Sequence, residues 1–140
     1  MKTKFFKIIL LIPFVLLSIS VFAQSPVTPA KGSKERKEIL DIFREDFESP
    51  VLFKVNHFLI QNGWACAEVT PLENNVEIGD QRWGLFRLNN GKWIPIEWSK
   101  NIEIIDDFEL IDLPAQNSRI SKLIIKNYPS CPMSIFSKRK

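Results

Sequence analysis

Two Asn-Gly dipeptides, Asn62-Gly63 and Asn90-Gly91, each stand between runs rich in β-branched and aromatic residues, and they commit this chain to antiparallel hairpins. A two-residue hairpin loop matches the right-handed twist of its strands only when both loop residues take positive φ, which Asn and Gly tolerate. Such a loop also fixes the register. Around Asn62-Gly63 it pairs Ile60 with Ala65, Phe58 with Ala67 and Asn56 with Val69 on one face. The other face receives Gln61 with Trp64, Leu59 with Cys66, His57 with Glu68 and Val55 with Thr70. Around Asn90-Gly91 the strands 82–89 and 92–99 oppose Trp83 to Trp98, Leu85 to Ile96 and Arg87 to Ile94. Pro95 has no amide hydrogen to give, so the last strand belongs at an edge or at a bulge. Residues 71–80 read as a polar loop between the hairpins.

Ahead of the hairpins, Ile39, Leu40, Phe43 and Phe47 recur at helical spacing behind Ser33, a good N-cap, and Ser49-Pro50 stops the run. This predicts an amphipathic helix over residues 34–48. The small residues Ala65 and Ala67 provide a surface on which that helix can lie close. Beyond Ser99, residues 102–105 suit a short strand. Ile120, Leu123 and Ile124 then mark a short helix capped by Asn117 or Ser118 and ended by Tyr128-Pro129. The apolar tail Cys131-Pro132-Met133-Ser134-Ile135-Phe136 should pack. The expected class is α+β: an N-terminal helix on a four-stranded antiparallel meander, with a short C-terminal helix and a packed tail. At the level of fold alone this is analogous to cystatin-like and nuclear-transport-factor-like architectures.

Residues 1–23 have the form of a secretory signal peptide. Lys2, Lys4 and Lys7 precede an apolar run over 8–17, and Val21-Phe22-Ala23 suits cleavage after Ala23. An uncleaved anchor is the other reading, which Pro13, Ser18 and Ser20 weaken. The expected location is periplasmic or secreted. After a flexible lead at 24–32, residues 33–140 suit one domain. The leader takes three of the 19 Lys and Arg and none of the 16 Asp and Glu, so the trimmed chain is formally neutral. Without excess positive charge, neither nucleic acid nor a membrane surface is an expected partner. Cys66 and Cys131 survive trimming, and in an oxidising compartment they are expected to form one disulfide that staples the tail; the alternative is two separate free thiols.

Arg36-Lys37-Glu38-Ile39-Leu40-Asp41 with Arg44, the Gly63-Trp64-Ala65 hairpin, and Gly91-Lys92-Trp93 with Trp98 together resemble a group of uncharacterised exported bacterial proteins. In that group a helix beginning Arg-x-x-(Ile/Leu)-Leu-Asp precedes a Gly-Trp-Ala hairpin, and Tyr128, Pro132, Ile135 and Phe136 resemble its ending. The resemblance spans most of the trimmed chain and implies a fold. It carries over no functional residue. Cys66 departs from the pattern, where a large apolar residue is expected, as does the acidic stretch around Asp106.

His57 is the one histidine, and the register sets Glu68 across from it. Such a pair serves either as half-buried structure or, given a substrate cleft, as an acid/base couple. Glu103, Asp106, Asp107, Glu109 and Asp112 suggest calcium, yet the stretch lacks the glycine of an EF-hand loop and reads better as a solvated acidic face. One His and two distant Cys do not assemble a zinc site, so no metal is expected. Trp64 and Trp93 fall on mixed faces. Were both exposed and adjoining, they would form a patch for a protein or small-molecule ligand, with His57 and Glu68 beside it. The chain has no Gly-rich phosphate loop, no Gly-x-Ser-x-Gly and no Cys-x-x-Cys, and implies no cofactor. A non-enzymatic binding or interaction module is therefore the expected role. The alternative is a small cone-shaped α+β hydrolase or isomerase working through His57 and Glu68.

Overall fold

In the computed structural model, which describes residues 24–99 and 112–138, both Asn-Gly dipeptides turn with positive φ, at 52° and 74° for Asn62 and Gly63 and 49° and 78° for Asn90 and Gly91. The molecule is α+β, with a five-stranded antiparallel sheet and two helices. Strands β1 (Leu52–Gln61), β2 (Trp64–Glu73), β4 (Arg82–Asn89) and β5 (Lys92–Pro95) lie in the order β1-β2-β4-β5. A two-residue strand, β3 (Val76–Glu77), pairs with the end of β2 after a turn at Asn74 and Asn75, so the expected polar loop is partly sheet and the meander gains a fifth strand. β5 stops at Pro95, yet Ile96 still donates to the Leu85 carbonyl at 2.8 Å, and Trp83 stacks on Trp98 at 4.9 Å. The expected 102–105 strand lies outside the described residues.

The first hairpin keeps its predicted register from Gln61–Trp64 through His57–Glu68, and then shifts. Asn56 is the extra residue of a β-bulge, its Nδ2 donating to Thr70 Oγ1 at 2.8 Å. Val55 therefore opposes Val69 and Lys54 opposes Thr70, which replaces the expected Asn56–Val69 and Val55–Thr70 pairs. Burial is the reason. Unbroken alternation would turn Asn56 and Lys54 toward the helix, and the bulge delivers Val55 and Phe53 to that face instead.

Helix α1 (Lys34–Arg44) starts at Ser33, whose Oγ accepts from the Arg36 amide, and lays Ile39 and Phe43 on Ala65, Ala67, Val69, Phe86 and Trp93. Burying each of those two helix side chains contributes about 1.5–3 kcal/mol. The helix ends four residues before the predicted Glu48. Glu45 and Phe47 form tighter three-residue bonds to Ile42 and Arg44, and Phe47 leaves the helical path to meet Phe53 edge-on at 5.8 Å.

The opposite sheet face is covered as well. Helix α2 (Arg119–Asn127), capped by Ser118, and the 3-10 turn Met133–Phe136 pack Ile124, Ile135 and Phe136 against Leu59, Trp64, Cys66 and Leu85. The lead joins the sheet edge. Val27 exchanges two backbone hydrogen bonds with Ile60, at 2.9 and 2.8 Å, and Gln61 bridges the Gln24 carbonyl to the Ser134 hydroxyl. The lead is thus held on β1, and beside this contact a cleft opens. Among the described residues no helix is long and apolar enough to cross a membrane.

Candidate functional site

The Asn62-Gly63 turn and its register set the His57 side chain on the face covered by the C-terminal tail, one residue before the strand, counted back from the turn, reaches the Asn56 bulge. Its Nε2 lies 2.7 Å from the main-chain oxygen of Ile135, in a buried contact. A carbonyl only accepts, so Nε2 carries the proton and donates it. Burial pulls the imidazole below its ordinary pKa of 6.5; the Ile135 hydrogen bond and the Glu68 carboxylate push it back up, and Lys138 adds to the lowering. Burial wins, and the neutral ring is favoured. With Nε2 protonated, the neutral ring presents a bare lone pair at Nδ1.

Glu68 stands opposite His57 in the strand register, and both line a cleft of about 600 Å³. The two side chains are 8% and 9% exposed for His57 and Glu68. Neither the Glu68 carboxylate nor His57 Nδ1 has a hydrogen-bond or ion-pair partner among the described residues, whereas no fully enclosed side-chain nitrogen or oxygen among them lacks one. Both groups are therefore reached from the cleft. Glu68 presents the one carboxylate of the cleft lining, with no protein partner of its own among the described residues, which makes it the most informative group in the site.

The cleft walls come from widely separated parts of the chain. Thr28, Pro29, Ala30 and Lys31 of the lead form one side, Asn56 and Phe58 of β1 another, and Leu113 and Lys138 the third. Arg36 of α1 reaches across, donating to the Pro29 carbonyl at 3.3 Å and lying 5.5 Å above the Phe58 ring. Three cations, Lys31, Arg36 and Lys138, thus line a cleft that holds one carboxylate. Sequence reasoning missed all three, and also Asn56. For the cations no local signal exists, because residues 31, 36 and 138 meet only through the fold. For Asn56 there was one: the apolar positions run odd at Phe53 and Val55 and even at Phe58 and Ile60, a phase change that marks a bulge.

Trp64 and Trp93 do not share a surface. Trp64 is 2% exposed beneath Tyr128 and Arg87, and Trp93 is 7% exposed on the α1 face. The condition for an aromatic patch is not met, because each sheet face is covered by its own helix. Cys66 and Cys131 are free thiols in one buried cluster. Burial pushes the Cys131 thiol up to about 12 and Cys66 well above its ordinary range, so neither is a nucleophile. Of the acidic stretch, Asp112 accepts from Gln81 at 2.8 Å, and Glu103, Asp106, Asp107 and Glu109 lie outside the described residues. Among the described residues no three His, Cys, Asp or Glu side chains converge as metal ligands.

Compared with known protein families, curated proteins and solved structures, the chain matches none.

Proposed function

We propose that this protein is an exported, non-enzymatic binding module that holds a small polar molecule in the cleft over His57 and Glu68. One observation carries the reading: His57 and Glu68, each more than nine-tenths buried as a residue, present the Nδ1 lone pair and the carboxylate to about 600 Å³ of open space, and neither of these has a protein partner among the described residues. Concave sites of a few hundred Å³ with a few convergent polar groups suit small ligands better than flat protein partners. The 23-residue leader, cleaved after Ala23, takes the chain to the periplasm or beyond. A screen of small polar metabolites against the isotope-labelled protein, read at the His57 ring and the Asn56 and Phe58 amides, tests this. Movement of those signals with an unmoved α1 supports the site, and silence across the screen removes it.

The rival reading, a small hydrolase or isomerase, draws on the same pair, since a neutral imidazole with a bare Nδ1 beside a carboxylate is suited to taking a proton. One feature weighs against it: among the described lining residues Thr28 is the one hydroxyl that could serve as a nucleophile.

A further inference from the structure

The cleft has an internal polarity. At its buried end stand two acceptors, the Glu68 carboxylate and the Nδ1 lone pair of the neutral imidazole; along its walls stand three side chains that only donate, Lys31, Arg36 and Lys138. A simple anion would satisfy the cations and be repelled by Glu68. A simple cation would satisfy Glu68 and be repelled by the walls. A neutral sugar could donate to both acceptors, yet it would bring no charge to match the three cations along the walls. A molecule with an ammonium at one end and a carboxylate at the other satisfies both sets at once.

Backbone supplies a third element. In an antiparallel edge strand, the residues whose amide and carbonyl point outward alternate. Ile60 spends its outward pair on Val27, and the next outward residue, Phe58, lines the cleft. Its amide and carbonyl are placed to bond a short length of extended backbone, as a free sheet edge does.

Resting on the binding reading above, we infer that the ligand is a small zwitterion of the amino-acid or short-peptide class. Its ammonium sits on Glu68 and His57, its carboxylate lies among Lys31, Arg36 and Lys138, and its backbone runs along Phe58. L-alanyl-L-alanine is the probe. Amide spectra of the full trimmed chain are recorded as it is titrated at pH 7, alongside its N-acetyl and C-amide derivatives and acetate. The free dipeptide should move the Asn56 and Phe58 amides, and acetylation, amidation and Glu68→Gln should each weaken it by about tenfold or more, as loss of a charged hydrogen bond does. Glu68→Asp, which keeps the charge, should recover part of the loss, and an undisturbed α1 spectrum shows that both variants fold.

Equal affinity for the free and acetylated dipeptides, or an unweakened Glu68→Gln, overturns the zwitterion. Acetate binding as tightly as the dipeptide overturns it too, while leaving the cleft a ligand site. No movement with any of the four probes also overturns it, and the binding reading then falls only if the wider screen is silent as well.

Discussion

The imidazole Nε2 of His57 donates to the carbonyl of Ile135 across 2.7 Å, joining residues 78 positions apart in a buried contact. This bond fastens the C-terminal 3-10 turn to the strand that forms the cleft wall, so the same ring that offers Nδ1 to a ligand also holds the tail in place. Neighbouring Ser134 reinforces the junction by donating to Gln61, four residues further along β1. Stability and site geometry are therefore coupled through one side chain.

Removing that donor should be costly. His57→Ala leaves the Ile135 carbonyl buried and unpaired and opens a void, so unfolding in urea should show a loss of about 2–4 kcal/mol. His57→Gln retains an amide nitrogen at the reach of Nε2 and should recover at least half of that loss. Equal destabilisation by the two variants would show that ring packing, rather than the hydrogen bond, holds the tail.

The same residue should set an acid limit on stability. Its folded pKa lies below the 6.5 of the unfolded chain, so between those values the unfolded state binds the extra proton. The contribution of the neutral ring is full above 6.5, declines as pH falls through the window, and is gone below the folded pKa. Thermal midpoints measured from pH 8 to pH 5 should fall in the wild type over that window. In His57→Gln the fall should be smaller. A midpoint that rises on acidification in the wild type alone would mean that Glu68 outweighs burial and the ring is charged.

The hairpins were legible because Asn62-Gly63 and Asn90-Gly91 dictate turn type, and turn type dictates register. Register then placed His57 opposite Glu68 without any knowledge of tertiary structure. What failed was the assignment of faces to solvent. Trp64 and Trp93 occupy faces that look mixed along their own strands, yet α1 covers one and α2 with the tail covers the other. The cleft was illegible for a different reason: Lys31, Arg36 and Lys138 belong to a lead, a helix and a tail, and like charges from distant segments leave no periodicity to read. The α1 terminus was overextended because Phe47 fits the helical phase, while Phe53 and Arg82 draw it into a different cluster.

A close approach on the α1 face yields a steric prediction. Gly84 opposes Ala67 in the register, and a Cβ there would lie 2.6 Å from Cζ of Phe86 and 3.4 Å from Cζ of Phe43. Phe86 is buried and meets Phe43 edge-on at 5.4 Å, so its ring cannot withdraw freely. Gly84→Ala should therefore destabilise by about 1–3 kcal/mol in chemical denaturation, the range of an overpacked core. Combined with Phe86→Leu, the cost should be less than additive, because the shorter side chain vacates the contested space. Strict additivity would place the strain elsewhere.

The thiols give a prediction about order of events. With Cys131 at about 12, only about one thiol in ten thousand is ionised at pH 8, and Cys66 is likewise pushed well above its ordinary range, by burial first and then by its neighbours Cys131 and Glu68. Reduced, folded protein should thus react with a thiolate-specific reagent many times more slowly than free cysteine, and both thiols should respond at once on unfolding. The same inertness means that a Cys66–Cys131 bond, the pairing proposed for an exported chain, must form before the core closes around Leu59, Trp64 and Phe136. Refolding in a glutathione redox buffer should give a product two hydrogens lighter in mass. Oxidising the already folded reduced protein under the same conditions should not. Because the bond closes a long loop, the refolded, oxidised form should exceed the reduced one by up to about 4 kcal/mol in urea. A product that stays reduced, or one that is oxidised but no more stable, would leave Cys66 and Cys131 as two small apolar groups in the core and remove the staple from the tail.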